Sequence, residues 1–370
     1  MKILVRAVGA GMVAGLLVLA IVWRMWTGPG PMDPAGQGLV PVRIPHGVSW
    51  SAAADSLAAH GLLAHPRLLT IMVRLLGDGP RLKAGLYDLP PGASPRTLTA
   101  LLTAGRTVPV RVTLLEGWNA GEMAAELEAR LGFPAAKFLA AADAAVHALA
   151  ADSTWSGFRS LQDCDQVLQA GAADRAAPLH LCEGYLAPDT YLFAEGMGAA
   201  EAADHLVRTQ LGRLVEVRRR PAPASAQPLD PHQLLTLASI VEAEARLDDE
   251  RPLIAAVYRN RLQRGWRLEA DPTVAYVLGR KGTRLFHRDL EVDSPYNTYR
   301  FGGLPPGPIG GPGPASLEAA GHPDTSCRAL FFVSDGGLGH VFSNTAAEHA
   351  RAVARFRAVR DRERRAAPER

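Results

Sequence analysis

The chain has 370 residues, 40 Lys+Arg against 37 Asp+Glu, 48% hydrophobic residues and three cysteines. That length suffices for more than one domain with its own core, and so even a charge balance excludes a dedicated nucleic-acid binder, so no nucleic acid is expected among its partners. The 36 Gly and 28 Pro follow no collagen-like period, and Cys164, Cys182 and Cys327 offer neither a C-x-x-C pair nor a disulfide framework. No metal and no cofactor are expected.

Lys2 and Arg6 precede an uncharged run from Ala7 to Trp23, closed by Arg24 and Trp26. At about 1.5 Å rise per residue the run is long enough for a short span, with arginines that snorkel and tryptophans at the interface. No small-x-small cleavage site follows, so residues 1–26 read as an uncleaved anchor in the cytoplasmic (inner) membrane. The positive charge at its start places the remainder on the outer (periplasmic) face. Residues 27–39 are Gly/Pro-rich and read as a linker.

From Val40 one unit recurs three times: a short β-rich run, a Gly-containing turn and a helix closed by glycine. The runs Val40–Ile44, Lys83–Leu89 and Val108–Leu114 lead to helices stopped at Gly61, Gly105 and Gly132. Ser49 or Ser51 and Ser94 suit N-caps, and Pro95 suits the first helical position. With an apolar helix at Pro66–Leu76, residues 40–107 resemble a LysM-like module, against the plainer reading of a generic α+β packing unit. A middle region, 108–229, holds an Ala-rich helix near Ala135–Ala151, an apparent insertion at 152–182, the turn Glu183-Gly-Tyr-Leu-Ala-Pro-Asp-Thr-Tyr191 and a helix over Ala199–Arg218. The Arg218-Arg219-Arg220-Pro221 run that ends it reads as a solvated face.

Asp230-Pro231-His232-Gln233 opens a helix through Ala245 with a capping-box pattern. Leu234, Leu235, Leu237, Ala238, Ile240, Val241 and Ala245 define an apolar face, and Glu242 and Glu244 lie near its two edges. A carboxylate at such an edge can be partly desolvated, which raises its pKa and suits it to general acid work. Helix geometry does not separate the two glutamates.

Beyond this helix follow Val257-Tyr-Arg-Asn-Arg-Leu262, Asp271-Pro-Thr-Val-Ala-Tyr276, Ser294-Pro-Tyr-Asn-Thr-Tyr299, Gly303-Leu-Pro-Pro-Gly-Pro-Ile309, Phe332-Val333 and Gly339-His-Val-Phe342. In order and spacing, with Leu237–Ala245, they resemble the endolytic murein transglycosylase (YceG-like) family, from the anchor to about Ala350. The resemblance implies a lytic transglycosylase that cuts the MurNAc–GlcNAc β-1,4 bond of peptidoglycan glycan strands and leaves 1,6-anhydro-MurNAc ends. One glutamic acid would serve first as acid and then as base, and alignment to the family pattern favours Glu244 over Glu242. Groove residues expected on the same grounds are Tyr258, Asn260, Asp271, Thr273, Tyr296, Asn297, Thr298, Tyr299, Leu304, Pro305, His340 and Asn344. Each has a plainer reading as packing, a helix cap or a stiff loop. Gly336–Gly339 reads as a hairpin turn, not a phosphate loop.

The expected whole is an α+β protein: one N-terminal transmembrane helix, a LysM-like module, the middle region, a catalytic domain over 230–350 and a basic tail at 351–370. Ala187 and Gly311 depart from the family pattern. Its partners would be peptidoglycan strands, the membrane and cell-wall synthesis proteins. Two rival readings are a non-catalytic peptidoglycan-binding scaffold on a membrane tether and a hydrolase that leaves reducing ends. An oxidising compartment would allow Cys164 and Cys182 to pair.

Overall fold

The computed structural model describes residues 2–31, 38–45, 47–77, 82–105, 108–151, 161, 163, 164, 166, 168, 180–221 and 228–366, with side chains described from Met12, residues 150–151 and those beyond 360 excepted. Most of the suspected insertion at 152–182, the middle of the 27–39 linker and the last four residues of the tail lie outside this set. The chain divides into two compact units. One comprises Met1–Val112, Arg130–Gly132 and Tyr191–Gly198, the other Thr113–Ala129, Phe133–Thr190 and Ala199–Arg370.

The first unit opens with helix α1 (Lys2–Thr27), followed by β1 (Val40–Ile44), α2 (Trp50–Ala59), α3 (Pro66–Leu76), β2 (Gly85–Leu89), α4 (Pro95–Ala104) and β3 (Pro109–Thr113). Met12, Val13, Leu16, Leu17 and Trp23 of α1 are exposed, whereas Trp26 is buried in the unit's core. Among the described residues no helix is long and apolar enough to cross a membrane. β1 pairs antiparallel with β2, Val42 opposite Tyr87, and the α2–α3 pair lies between them in sequence. Alternation is clean: Val42 and Ile44 face Tyr87 and Leu89 inward, and the helices add Trp50, Ala53, Leu57, Leu69 and Val73. Ser49 and Ser94 cap their helices through Ala52 N and Thr97 N, and Gly105 ends α4 in the left-handed conformation, as the sequence predicts. β3 forms a second two-stranded sheet with β4 (Thr190–Ala194).

The second unit holds α5 (Ala120–Leu131), α6 (Ala135–Ala151), α7 (Ala199–Arg219), α8 (Pro231–Glu244), α9 (Arg251–Gln263), α10 (Asp271–Val277), α11 (Pro314–Gly321), the hairpin β5 (Phe331–Ser334) and β6 (His340–Ser343), and α12 (Ala346–Ala366). Helix α8 has the expected capping box: Asp230 accepts from Gln233 N, and Gln233 accepts from Asp230 N. It is not amphipathic in the way the sequence suggests. It packs against α9, α10 and α11, and His232, Thr236 and Ser239 are as buried as its leucines. Those polar groups are hydrogen-bonded. The Thr236 and Ser239 hydroxyls donate to His232 O and Thr236 O, and His232 is fixed between the Tyr185 hydroxyl (2.8 Å) and Pro306 O (2.7 Å).

The Ser239 hydroxyl also accepts from Ile309 N, which ties the Gly303–Ile309 loop to the middle of α8. Gly311, which departs from the family pattern, exchanges backbone hydrogen bonds with the 117–118 segment, and a Cβ there would come 2.6 Å from Met123 Cε. Gly336–Gly339 is indeed a hairpin turn, closed by Asp335 N to Gly339 O. The Cys164–Cys182 bridge does not form. Cys164 Sγ lies where Gly307 passes, while Cys182 is held elsewhere, its amide donating to Asp143 Oδ1.

Because the Asp230 cap starts the helix that carries both glutamates, Asp230→Ala is expected to cost about 1 kcal/mol of stability. Urea denaturation reads it; a change within error would mean Gln233 alone suffices.

Candidate active site

A cavity of about 700 Å³ opens in the second unit where the end of α8 meets α10, the 279–285 loop, the 116–122 segment and Ile309–Gly310. Glu242, Glu244 and Asp271 all line it. The two glutamates, two residues apart, have different surroundings.

Glu242 is committed to structure. Arg251 Nη1 lies 3.1 Å from its Oε1, and Gly313 N donates to its Oε2 at 3.0 Å, with both ion-pair side chains under 10% exposed. Arg251 also reaches Asp248 through Nε and the Ser316 hydroxyl through Nη1. Each oxygen of Glu242 thus has a fixed donor, the condition under which a buried charge is tolerated.

Glu244, the last residue of α8, is half-buried and has one hydrogen bond, from the Tyr258 hydroxyl to Oε1 at 2.9 Å. Desolvation lifts its carboxyl from an ordinary 4.5 to about 7; the Tyr258 hydrogen bond opposes that rise and the charge of Asp271 adds to it. Asp271 in turn accepts from the Tyr299 hydroxyl at 2.6 Å. Tyr258 and Tyr299 both stay protonated, their own values pushed up first by burial. The result is a carboxyl that is half protonated near neutrality, oriented by a phenol on one oxygen, with no partner among the described residues on the other.

Of the remaining expected groove residues, several serve the fold around this cavity. Asn260 donates to Cys327 O and Ala329 O and does not face Glu244. Thr273 and Thr298 share a hydroxyl contact of 2.9 Å, and Thr298 caps Ala270 N at the start of α10, so they place Asp271 from behind. Asn297 is fully used: its amide donates to Leu290 O and Val292 O, and its oxygen accepts from Tyr299 N. Tyr296 is buried against Tyr276, with ring centroids 5.5 Å apart. Leu304 and Pro305 line a different cavity, of about 530 Å³, beside His232 and Phe301. His340 is clamped by Glu250, which accepts from both its backbone N and its Nδ1 at 2.7 Å. Asn344 is exposed, its amide held by Glu348 ahead of α12.

The sequence reading gave no role to five residues that line the cavity or support it. Glu116 lies on its wall, its carboxyl raised by desolvation and by the neighbouring charge of Glu242. Lys281 donates to Gly117 O at 2.6 Å. Glu183 is wholly buried, accepts from Ala120 N and from the Tyr276 hydroxyl, and is lifted by desolvation to about 7. It therefore couples the start of α5 to α10. Asn119 and Glu122, which exchange hydrogen bonds of 2.8 and 2.7 Å, were legible as a capping pair three residues apart. Among the described residues no group of acidic, His or Cys side chains could hold a metal ion.

The YceG-like family model matches residues 42–355. The chain is 31% identical over 327 residues to the endolytic murein transglycosylase of Bacillus subtilis, covering 88% of this chain and 87% of that one. It is 28% identical to the endolytic murein transglycosylase of Streptococcus pneumoniae strain D39, covering 88% of this chain and 59% of that longer one. Among solved structures, a yceG-like protein of Listeria monocytogenes aligns with a TM-score of 0.52 at 31% identity, over 84% of this chain and 98% of that one.

A carboxyl whose folded pKa exceeds its unfolded value contributes fully while protonated and loses that contribution as pH rises through the folded value. Stability should therefore decline between about pH 4.5 and pH 7. Glu244→Gln, neutral throughout and still able to accept from Tyr258, is expected to exceed the native protein by roughly 1–2 kcal/mol at pH 8 and to match it near pH 4.5. Urea titrations at both pH values test this; a gap that does not vary with pH would remove Glu244 as its source.

Proposed function

The chain belongs to the YceG-like family, and from that premise we propose that it is a membrane-anchored endolytic enzyme in which Glu244 cleaves the MurNAc–GlcNAc β-1,4 bond. The coarser assignment follows from its curated relatives: this chain is a lytic transglycosylase acting on peptidoglycan. The observation that carries the finer one is the contrast between the two glutamates. Glu242 has a fixed donor on each oxygen, whereas Glu244 presents a carboxyl with a pKa of about 7 to the cavity.

The chemistry follows from that protonation state. With Oε1 held by Tyr258, Oε2 carries the proton and delivers it to the glycosidic oxygen as the C1–O4 bond breaks. Positive charge then develops at C1, and Asp271, which accepts from the Tyr299 hydroxyl, supplies negative potential close by. The Glu244 carboxylate, now deprotonated, removes the proton of the sugar's own 6-hydroxyl as O6 bonds to C1. The net change moves one proton from O6 to O4 and yields a 1,6-anhydro ring without water. A single residue needs a pKa near the working pH for this double duty, and burial of Glu244 provides it.

The anchor is part of the same proposal. The uncharged run from Ala7 to Trp23 and the exposed apolar face of α1 from Met12 to Trp23 support an N-terminal span in the cytoplasmic membrane, with the catalytic unit on the outer face.

Glu244→Gln should lower formation of anhydro-MurNAc ends by at least about a hundredfold while leaving strand binding intact, as mass spectrometry of the glycan products would show. Retained activity, with loss instead in a folded Glu242→Gln, would reverse the assignment. For topology, a reporter fused after Arg370 is expected to be active only outside the cytoplasm; a mature chain beginning near Gly28 would rule out the anchor.

A further inference from the structure

The charges that line the cavity are unequally distributed. Glu116, Glu122, Glu242, Glu244 and Asp271 bring carboxylates, and only Lys281 and Arg284 bring permanent positive charge. Lys281 is already engaged, by Gly117 O and by Glu122 Oε2 at 3.4 Å. Arg284 is exposed, and among the described residues no carboxylate pairs with it. Its guanidinium lies 5.7 Å from the centre of the Phe286 ring, on which Arg288 also stacks at 5.7 Å.

An aromatic surface that carries two arginines orders their side chains without neutralising them. A neutral sugar ring gives a cation little to bind. The substrate does carry anions, because each MurNAc bears a peptide stem with free carboxylates. The acidic wall of the cavity repels such a group, and Arg284, on the 279–285 loop, is the lining residue able to receive it.

Resting on the transglycosylase reading, we infer that Arg284 is a specificity residue that binds a carboxylate of the peptide stem as the strand lies in the cavity. Two sources of carboxylate must be separated, the stem itself and the lactyl group that is freed when the stem is removed.

The test uses the full chain and three sets of uncross-linked strands: native, with stem carboxylates converted to amides by carbodiimide coupling to ammonia, and stripped of stems by an amidase. The native protein is expected to cleave native strands with a kcat/KM about fivefold above amidated ones, through KM, with a preference that shrinks as salt is raised. Arg284→Gln should bring that ratio close to one, and Arg284→Lys should restore part of it. Equal cleavage of native and amidated strands by the native protein would overturn the inference, as would a ratio unchanged in Arg284→Gln. A preference for stripped strands that is lost in Arg284→Gln would overturn it in favour of the lactyl carboxylate. Failure to cleave any strand would instead reject the transglycosylase reading on which the inference stands.

Discussion

The ion pair between Arg251 and Glu242 is the constraint from which the geometry of the second unit follows. Arg251 is the first residue of α9, Glu242 lies in the last turn of α8, and Gly313 and Ser316 belong to the start of α11. One guanidinium and one carboxylate therefore pin three helix ends together. A charge pair this buried is held in place by geometry more than it stabilises, since removing either partner strands the other without water. Fixing Glu242 fixes the direction of the last turn of α8, and Glu244 two residues on is then turned toward the cavity instead of the core.

The supporting shell is polar but buried. Thr273, Thr298 and Asn297 hold α10 and the 294–299 turn in register, and Glu183 joins α5 to α10 through Tyr276. None of these presents a free group to a substrate. Their role is to keep Asp271, Tyr299 and Tyr258 within hydrogen-bond reach of one another's surroundings, since a small displacement of a positioned acid is costly to catalysis.

Much of this was legible in the sequence, for definable reasons. Helix starts at Ser49, Ser94 and Asp230 depend on local hydrogen bonds, so the residues themselves announce them. The closing glycines are equally local. The distinction between Glu242 and Glu244 was not legible in the helix pattern, where only the family resemblance favoured Glu244, because it depends on Arg251 and Gly313, 9 and 71 residues away. Asn260 and Asn297 have the chemistry of sugar-binding amides, yet here each satisfies buried carbonyls, and residue type alone cannot tell these uses apart. Helix α8 read as amphipathic because His232, Thr236 and Ser239 look like a polar face until their partners are seen. Glu116 escaped notice, and the role of Glu183 within its turn did too, because a single acid beside a glycine has no periodicity to mark what it does.

Glu244 also occupies an awkward place on its helix. The unpaired carbonyls at the C-terminal end of α8 carry the negative pole of the helix dipole, which favours lysine or arginine there and disfavours an ionised acid. The dipole thus acts in the same direction as burial, and both oppose the negative charge that the carboxyl must carry between its two proton transfers. A basic residue at 244 would suit the helix end better but would keep its proton at neutral pH instead of passing it to the glycosidic oxygen. Selection for a sturdier helix and selection for turnover therefore oppose each other at this one position, where the less stable choice is the functional one.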